Sequence, residues 1–187
     1  MQSKHYAGIG SRETPDDVCN LMKEIANRLK ILGYTLRSGG AVGADKAFGS
    51  GTDRKIVFGV DDAIVEENLK KTTIEYSQDD GLFMDDFVNK FHPTPFAIGK
   101  KGWKLLRRNT LQIVQYDLQG LQLPTVDFVI CWTPDGSIDG SKKSSGGTGQ
   151  ALRIASHYGI PVFNLKLGDN EIFELAKFIK ANKITNN

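Results

Sequence analysis

The fold is decided by the run YTLRSGGAVGADKAF, which occupies residues 34–48. Its first residues, Tyr34–Arg37, have the composition of a short β-strand, and Ala44–Phe48 have that of a helix. The glycine-rich segment between them therefore joins a strand to a helix. At such a junction an α/β sheet presents backbone N–H groups to an anion such as a phosphate.

Two further glycine-rich loops have the same setting. The segment GIGSRE at residues 8–13 follows an apolar run that begins at His5, and the segment SGGTGQ at residues 145–150 opens a helix-like run. One such loop would be weak evidence, because glycine and serine occur in turns of every kind. Three loops at strand-to-helix junctions predict one polar ligand site at one edge of a single sheet.

Strand and helix patterns alternate along the rest of the chain. Thr14–Asp17 combines an N-cap residue, a proline and two acids, so it predicts the start of a helix, which Gly33 ends. Further strands are predicted at residues 55–59, 126–132 and 160–165, and further helices at residues 97–118, 149–158 and 171–180. This order predicts an α/β fold with a Rossmann-like, doubly wound, mostly parallel sheet and helices on both faces. We expect one domain over residues 1–187, with residues 60–95 as a solvated insertion or lid.

The charges of the chain nearly cancel, since 24 lysines and arginines stand against 22 aspartates and glutamates, for a net charge of +2. Composition therefore supplies no whole-chain electrostatic argument for binding DNA or a membrane. Cys19 and Cys131 lie in helix and strand patterns and are interpreted as buried apolar residues. The three histidines have no metal-ligand spacing. With neither a signal sequence nor a transmembrane segment, we expect a cytoplasmic protein with no metal, no cofactor and no membrane contact.

Neither of the common phosphate-binding fingerprints is present. The pattern G-x-G-x-x-G would need a glycine where Glu13 stands, and the pattern G-x-x-x-x-G-K-[ST] does not occur. The sequence therefore argues against an ordinary dinucleotide dehydrogenase and against a P-loop NTPase.

Five motifs occur in an order that is shared with a known superfamily. They are Ile9–Glu13, Leu36–Asp45, Arg108-Asn109, Ser145–Thr148 and Gly159–Phe163. In order and rough spacing they resemble the Rossmann-like domain of DNA-processing protein A and the wider SLOG superfamily, which contains the Lonely Guy nucleotide phosphoribohydrolases. The resemblance implies a parallel Rossmannoid sheet whose loops bind the phosphates of a nucleotide or a nucleic acid.

The resemblance also implies roles for individual residues. It implies that the three loops contact phosphate and that an arginine-asparagine pair on a helix faces the site. The candidate nucleotide- or phosphate-binding residues are Gly10, Ser11, Arg12, Glu13, Ser38, Gly39, Gly40, Gly43, Asp45, Arg108, Asn109, Ser145, Gly146, Gly147, Thr148 and Gly149. No residue is assigned a catalytic role.

Three positions depart from the patterns of these families. Phe48 stands where DNA-processing protein A often has a histidine, and Thr110 replaces the second arginine of its arginine-asparagine-arginine motif. The Lonely Guy pattern P-G-G-x-G-T-x-x-E ends in a catalytic glutamate, whereas the best match here ends in Arg153. An arginine cannot take over the proton transfer of a carboxylate. Glycosidic chemistry would therefore need another acid, such as Glu13, Asp45 or one from the insertion.

The resemblance leads to one expected function and two alternatives. We expect a stand-alone SLOG-type domain that binds a nucleotide or a nucleotide-derived small molecule and senses, sequesters or processes it, since domains of this superfamily recur in nucleotide-signal pathways and mobile elements. The first alternative is a single-stranded DNA-binding, DNA-processing protein that acts as a recombination mediator. The second is a nucleoside 5′-monophosphate phosphoribohydrolase, the N-glycosidase that we expect if the protein is an enzyme. We also expect a homo-oligomer, a dimer or higher.

Overall fold

The alternating patterns fold into eight strands and six helices within the described part of the chain. The computed structural model describes residues 4–59, 73–74, 78–116, 122–123, 126–142 and 146–184. The strands are β1 (Lys4–Gly10), β2 (Tyr34–Ser38), β3 (Lys55–Phe58), β4 (Thr73–Ile74), β5 (Gln115–Tyr116), β6 (Gln122–Leu123), β7 (Phe128–Trp132) and β8 (Val162–Asn164). The helices are α1 (Asp16–Ile31), α2 (Ala44–Ser50), α3 (Gln78–Phe91), α4 (Lys100–Ile113), α5 (Thr148–His157) and α6 (Asp169–Ile184).

Six of the strands form one sheet in the order β4-β3-β2-β1-β7-β8, and every pairing in it is parallel. The chain first moves outward from β1 to β4 and then crosses back to β7 and β8, so the strand order reverses between β1 and β7. Open parallel sheets bind ligands outside the carboxyl ends of the strands, beside such a reversal. The predicted Rossmann-like α/β fold is thereby confirmed. The strands β5 and β6 form a separate antiparallel pair.

Apolar side chains cover both faces of the sheet, as a parallel sheet flanked by helices requires. Along the central strands the side chains alternate: Tyr6 and Phe128 pack against α1, α2 and α6, while Ala7 and Val129 pack against α3, α4 and α5. Helices therefore lie on both faces, as predicted. No helix among the described residues is both long enough and apolar enough to cross a membrane.

Phe128 is the centre of the aromatic packing on the first face. Its side chain is fully buried, and its ring centroid lies 5.8 Å from that of Tyr6, 5.3 Å from that of Tyr34 and 5.5 Å from that of Phe178. These contacts join β7 to its neighbour β1, to β2 and to α6. Burying a side chain of this size contributes about 1.5–3 kcal/mol to folding.

The helix predicted at residues 97–118 is shorter at both ends in the structure, where α4 spans Lys100–Ile113. α4 stops at Ile113, and Val114 is already in an extended conformation. The buried guanidinium of Arg37, on β2, donates hydrogen bonds to the carbonyls of Leu111 and Val114 at this helix end. A cation at a helix C-terminus is favourable, because the last carbonyls carry partial negative charge. Burial lowers the pKa of Arg37 to about 10.

The helix α3 lies in the segment that the sequence predicted to be a solvated insertion or lid. Met84, Phe87 and Val88 are buried, and their spacing of three and four residues places them on one helix face. The expectation of a solvated segment is therefore wrong for this helix, which packs against the core. Residues 60–72 and 75–77 lie outside the described residues, and the insertion itself stays a prediction.

A polar contact also ties α3 to α4. The Asp85 carboxylate accepts hydrogen bonds from the indole N–H of Trp103 and from the guanidinium of Arg107. Burial raises the pKa of Asp85, but the hydrogen bonds from Arg107 and Trp103 outweigh this effect and lower it. Both contacts therefore bind side chains of α4 to the same carboxylate of α3.

Candidate functional site

A cavity of about 440 Å³ lies at the carboxyl edge of the sheet, beside the reversal between β1 and β7. It is lined by Ile9, Gly10, Ser11, Arg12, Glu13, Ala41, Asp45, Leu105, Arg108, Asn109, Gln112, Pro134, Gly146, Gly147 and Thr148. Ten of the predicted binding residues are in this lining, drawn from all three loops and α4. The predicted residues that are described but do not line it are Ser38, Gly39, Gly40, Gly43 and Gly149. Ser145 lies outside the described residues.

The lining has a buried part and an exposed part. We call Asp45, Arg108, Asn109 and Gln112 the floor, since each is at most 8% exposed. We call Arg12, Glu13, Gly146 and Gly147 the mouth, since all four are exposed. The floor is built by α2 and α4, and the mouth by the first and third loops.

The first loop is held in place by its own serine. The backbone N–H of Ser11 donates to the carbonyl of Trp132, and the Ser11 carbonyl accepts from the hydroxyl of Thr14 and the N–H of Ala44. The hydroxyl oxygen of Ser11 accepts from the N–H of Glu13. These bonds fix the loop between β7 and α2 and leave the side chain of Arg12 exposed at the mouth. Within the described part of the chain, Arg12 has no hydrogen-bond or salt-bridge partner.

The second loop surrounds the carboxylate of Asp45, in the first turn of α2. The N–H of Ala41 donates to this carboxylate at 3.3 Å. Burial raises the pKa of Asp45, and that effect outweighs the influences that lower it. Those influences are the Arg108 guanidinium and hydrogen bonds from the backbone N–H groups of Ala41, Gly39 and Gly10. The second loop therefore directs at least the N–H of Ala41 at a carboxylate that belongs to the protein.

Two glycines of this loop are required by close approach. A side chain at Gly39 would overlap Gln112 Nε2 and lie 2.6 Å from Arg108 Cζ, so its absence lets α4 approach the loop. Gly43 has φ +82°, and a Cβ there would overlap the carbonyl oxygen of Ser11. The hydroxyl of Ser38 donates to the carbonyl of Gly8 at 2.7 Å and so joins β2 to β1.

Arg108 and Asn109 connect the second loop to the third. Arg108 donates to the carbonyl of Gly39 at 3.2 Å and to Asn109 Oδ1 at 3.1 Å, and its Nη2 lies 4.0 Å from Asp45 Oδ2. Asn109 Nδ2 donates to the carbonyl of Gly147 at 2.8 Å. The side chains of the arginine-asparagine pair therefore line the cavity and also hold the surrounding loops together.

Gln112 is a floor residue that is not among the binding residues predicted from the sequence. Leu105, Arg108, Asn109 and Gln112 follow the spacing i, i+3, i+4, i+7, so they share one face of α4. Once Arg108 is predicted to bind the ligand, this spacing also predicts that Gln112, four residues later, lies on the same helix face. Its Nε2 is buried and has no hydrogen-bond partner among the described residues. Leaving a buried donor without an acceptor costs about 1–3 kcal/mol, which a bound acceptor would recover.

The third loop leads into the start of α5. Gly146 has φ +55°, Gly147 occupies the N-cap position, and no side-chain hydrogen bond caps the helix. The first N–H groups of a helix carry partial positive charge and lack partners within the helix. This end of α5 lines the cavity through Gly147 and Thr148.

Arg153, which stands where the hydrolase pattern has its glutamate, does not line the cavity. Its guanidinium donates to the carbonyls of Phe91 and Gly140, the second at 2.7 Å. It therefore fastens α5 to the end of α3 and to the loop after β7. Of the described residues, only Asp45 and Glu13 bring a carboxylate to the cavity. No group of three His, Cys, Asp or Glu residues in the described ranges is arranged to hold a metal ion.

The fold is similar to that of a solved structure. DNA processing protein A from Helicobacter pylori, described for its single-stranded DNA binding mode, aligns with 87% of this chain at 22% sequence identity and a TM-score of 0.54. The alignment spans 65% of that protein's own chain. Neither the protein-family models nor the curated protein sequences contain a match to this chain. The comparison therefore shows that this chain has a fold like that of DNA processing protein A.

Proposed function

We propose that the cavity binds a nucleotide or a nucleotide-derived small molecule. The observation that carries the proposal is the convergence of three loops and one polar face of α4 on a single cavity at the strand reversal. Its volume of about 440 Å³ lies within the range of about 300–1,000 Å³ that is typical of small-molecule sites. Its lining combines charged side chains, amide groups and backbone, as recognition of a polar ligand requires.

The mouth of the cavity supports binding of the anionic end of such a ligand. Arg12 has no partner among the described residues and is exposed, so it can turn toward a phosphate without breaking an existing contact. The start of α5, at Gly147 and Thr148, has no side-chain cap and also lines the cavity, so it can offer helix N–H groups to the same phosphate. A hydrogen bond to a charged group contributes about 1.5–3 kcal/mol, so loss of Arg12 should weaken binding roughly tenfold or more.

The test is a thermal-shift screen of nucleoside mono-, di- and triphosphates and cyclic nucleotides, followed by calorimetry on those that raise Tm. Arg12→Gln should lower the affinity for a binding nucleotide about tenfold. Arg28→Gln is the matched control, since Arg28 is also exposed but lies in the last turn of α1, outside the cavity. Equal affinities for the two variants would contradict the assignment of the mouth, and a panel that never raises Tm would remove the proposal.

The proposal is one of binding without cleavage of the glycosidic bond. Arg153 is held by two carbonyls away from the cavity, and Asp45 is enclosed by the second loop and Arg108. Incubation with the nucleoside 5′-monophosphates and chromatography of the products tests this point. Release of a free base would favour the phosphoribohydrolase instead.

The second candidate function is binding of single-stranded DNA. The observation that favours it is the likeness of the fold to DNA processing protein A from Helicobacter pylori, whose structure was described for that binding. Contacts to several phosphates would make affinity fall steeply with salt, by a slope of about 0.7 per neutralised phosphate. Fluorescence anisotropy of a labelled oligonucleotide across a salt series measures this slope. Tight oligonucleotide binding together with no response to free nucleotides would make DNA the ligand of the cavity.

The homo-oligomer expected from the resemblance stays a prediction. Large apolar side chains are exposed at Phe96, Phe173 and Ile31, but single exposed side chains are common on monomers and need no partner to explain them. Light scattering on the purified protein, with and without a nucleotide that raises Tm, measures the oligomeric state.

A further inference from the structure

The floor of the cavity has no surplus positive charge to offer a phosphate. The charge of Arg108 is offset by Asp45, whose Oδ2 lies 4.0 Å from Arg108 Nη2. The guanidinium also donates to the Gly39 carbonyl and to Asn109 Oδ1, so part of its hydrogen-bonding capacity is already used within the protein. A phosphate placed there would meet the carboxylate of Asp45 at close range, and like charges repel strongly in a buried site.

Two side chains of the floor, Asp45 and Gln112, can instead form hydrogen bonds with a neutral polar group. The Asp45 carboxylate can only accept hydrogen bonds, and burial deprives it of water. The Gln112 amide lines the cavity, is 2% exposed, and has no acceptor for its Nε2 among the described residues. Both groups border Arg108, since the Gln112 amide and the guanidinium pack against the same glycine, Gly39. A ligand group that suits the floor must therefore be neutral and must both donate and accept hydrogen bonds.

We infer that the nucleoside end of a nucleotide occupies the floor, with a sugar hydroxyl or a base edge between Asp45 and Gln112, and that the phosphate stays at the mouth. This inference rests on the proposed function. Sugar hydroxyls and the edges of bases carry a donor beside an acceptor, as this pair of residues requires. Arg12 and the start of α5 then meet the phosphate where solvent is accessible.

The experiment compares the four ribonucleosides, their 5′-monophosphates and inorganic phosphate by calorimetry. The proteins are the wild type, Gln112→Met and Arg12→Gln. Gln150→Met is the matched control, because Gln150 is also a buried amide but lies on α5 and does not line the cavity. Melting of each protein without ligand checks its fold. Gln112→Glu, which replaces the donor by an acceptor, takes the place of Gln112→Met if that variant does not fold.

We expect the two substitutions to weaken the binding of different ends of the ligand. Gln112→Met should weaken a monophosphate and its nucleoside by the same factor, about tenfold, whereas Arg12→Gln should weaken the monophosphate alone. Inorganic phosphate should not displace the nucleoside. If a monophosphate binds but Gln112→Met leaves nucleoside affinity unchanged, or if phosphate displaces the nucleoside, the orientation is wrong and the proposed function stands. If no monophosphate binds the wild type, the proposed function fails and this inference fails with it.

Discussion

Replacing Arg108 by methionine should leave a buried carboxylate without its counter-ion. Arg108 and Asp45 are 8% and 4% exposed, and no other basic side chain of the described residues forms a salt bridge with Asp45. Methionine keeps an unbranched apolar chain against the loop but removes the charge and the hydrogen bonds to Gly39 and Asn109. The folded protein must then either keep an unpaired charge or take up a proton.

The size of the effect follows from the separation of the two groups. Unit charges about 4 Å apart attract by about 4 kcal/mol at an effective dielectric constant of about 20. Breaking a buried pair by removing one partner costs about 3–5 kcal/mol in measured cases, which agrees with this figure. In a domain of this length, 1 kcal/mol corresponds to about 2–4 °C in Tm. We therefore expect Arg108→Met to lower Tm by about 6–20 °C at neutral pH.

The stability that Arg108→Met loses should increase as the pH rises. Burial already raises the pKa of Asp45 in the folded protein, and removing Arg108 takes away one influence that lowers it. A carboxyl whose pKa is raised on folding supports the folded state below its unfolded pKa of about 3.9 and loses that support as pH rises through the folded value. The stability difference between Arg108→Met and the wild type should therefore be smallest near pH 4, where only the lost hydrogen bonds remain, and should grow toward pH 7.

Urea unfolding of four proteins measures the coupling directly. They are the wild type, Arg108→Met, Asp45→Asn and the double variant. If the pair interacts as described, the double variant should be more stable than Arg108→Met at pH 7, because asparagine leaves no unpaired charge in the buried site. If Asp45→Asn gives no such rescue, or if Arg108→Met is equally destabilised at pH 4 and pH 7, the two side chains do not form a stabilising ion pair.

Three further substitutions test other parts of the structure. Gly43→Ala should lower the free energy of unfolding by about 1–3 kcal/mol, because the methyl group meets the Ser11 carbonyl at a positive φ. The control Gly49→Ala, on a helix with no atom near the added Cβ, should be neutral or stabilising in the same urea assay. Phe128→Ala should cost about 3–5 kcal/mol by urea unfolding, and a loss below 1 kcal/mol would contradict its central place in the core. Arg153→Glu restores the carboxylate of the hydrolase pattern but should release no base by chromatography, because residue 153 is outside the cavity lining.

The parallel sheet could be predicted because its signals are local. The nearly continuous apolar run at residues 126–132 contains β7, whose five residues are all buried, as expected for a strand covered on both faces. The ends of elements could not be predicted so well. α4 ends five residues before the predicted end, where Arg37 of β2 binds its last carbonyls, and no local pattern around Leu118 contains that contact.

The position of the cavity could also be predicted, since the carboxyl ends of neighbouring parallel strands meet at one edge. Which groups of the cavity contact a ligand, and which contact other side chains of the protein, could not be predicted. A glycine-rich loop looks the same in sequence whether its N–H groups meet a ligand or a side chain of the protein. The amide of Gln112 reaches the floor only because Gly39, far away in the chain, has no side chain.

The position of Asp45 determines which part of a ligand the glycine-rich loops can bind. The loop N–H of Ala41 already donates to this carboxylate and is not available to a phosphate, and Arg108 lies beside the same carboxylate. The positive potential left over lies at Arg12 and at the start of α5, both at the mouth. A ligand bound by this site should therefore be recognised from two directions, its neutral part by hydrogen bonds in the floor and its charge at the entrance. Salt should then weaken nucleotide binding and leave nucleoside binding almost unchanged, because only the charged contact is exposed to screening.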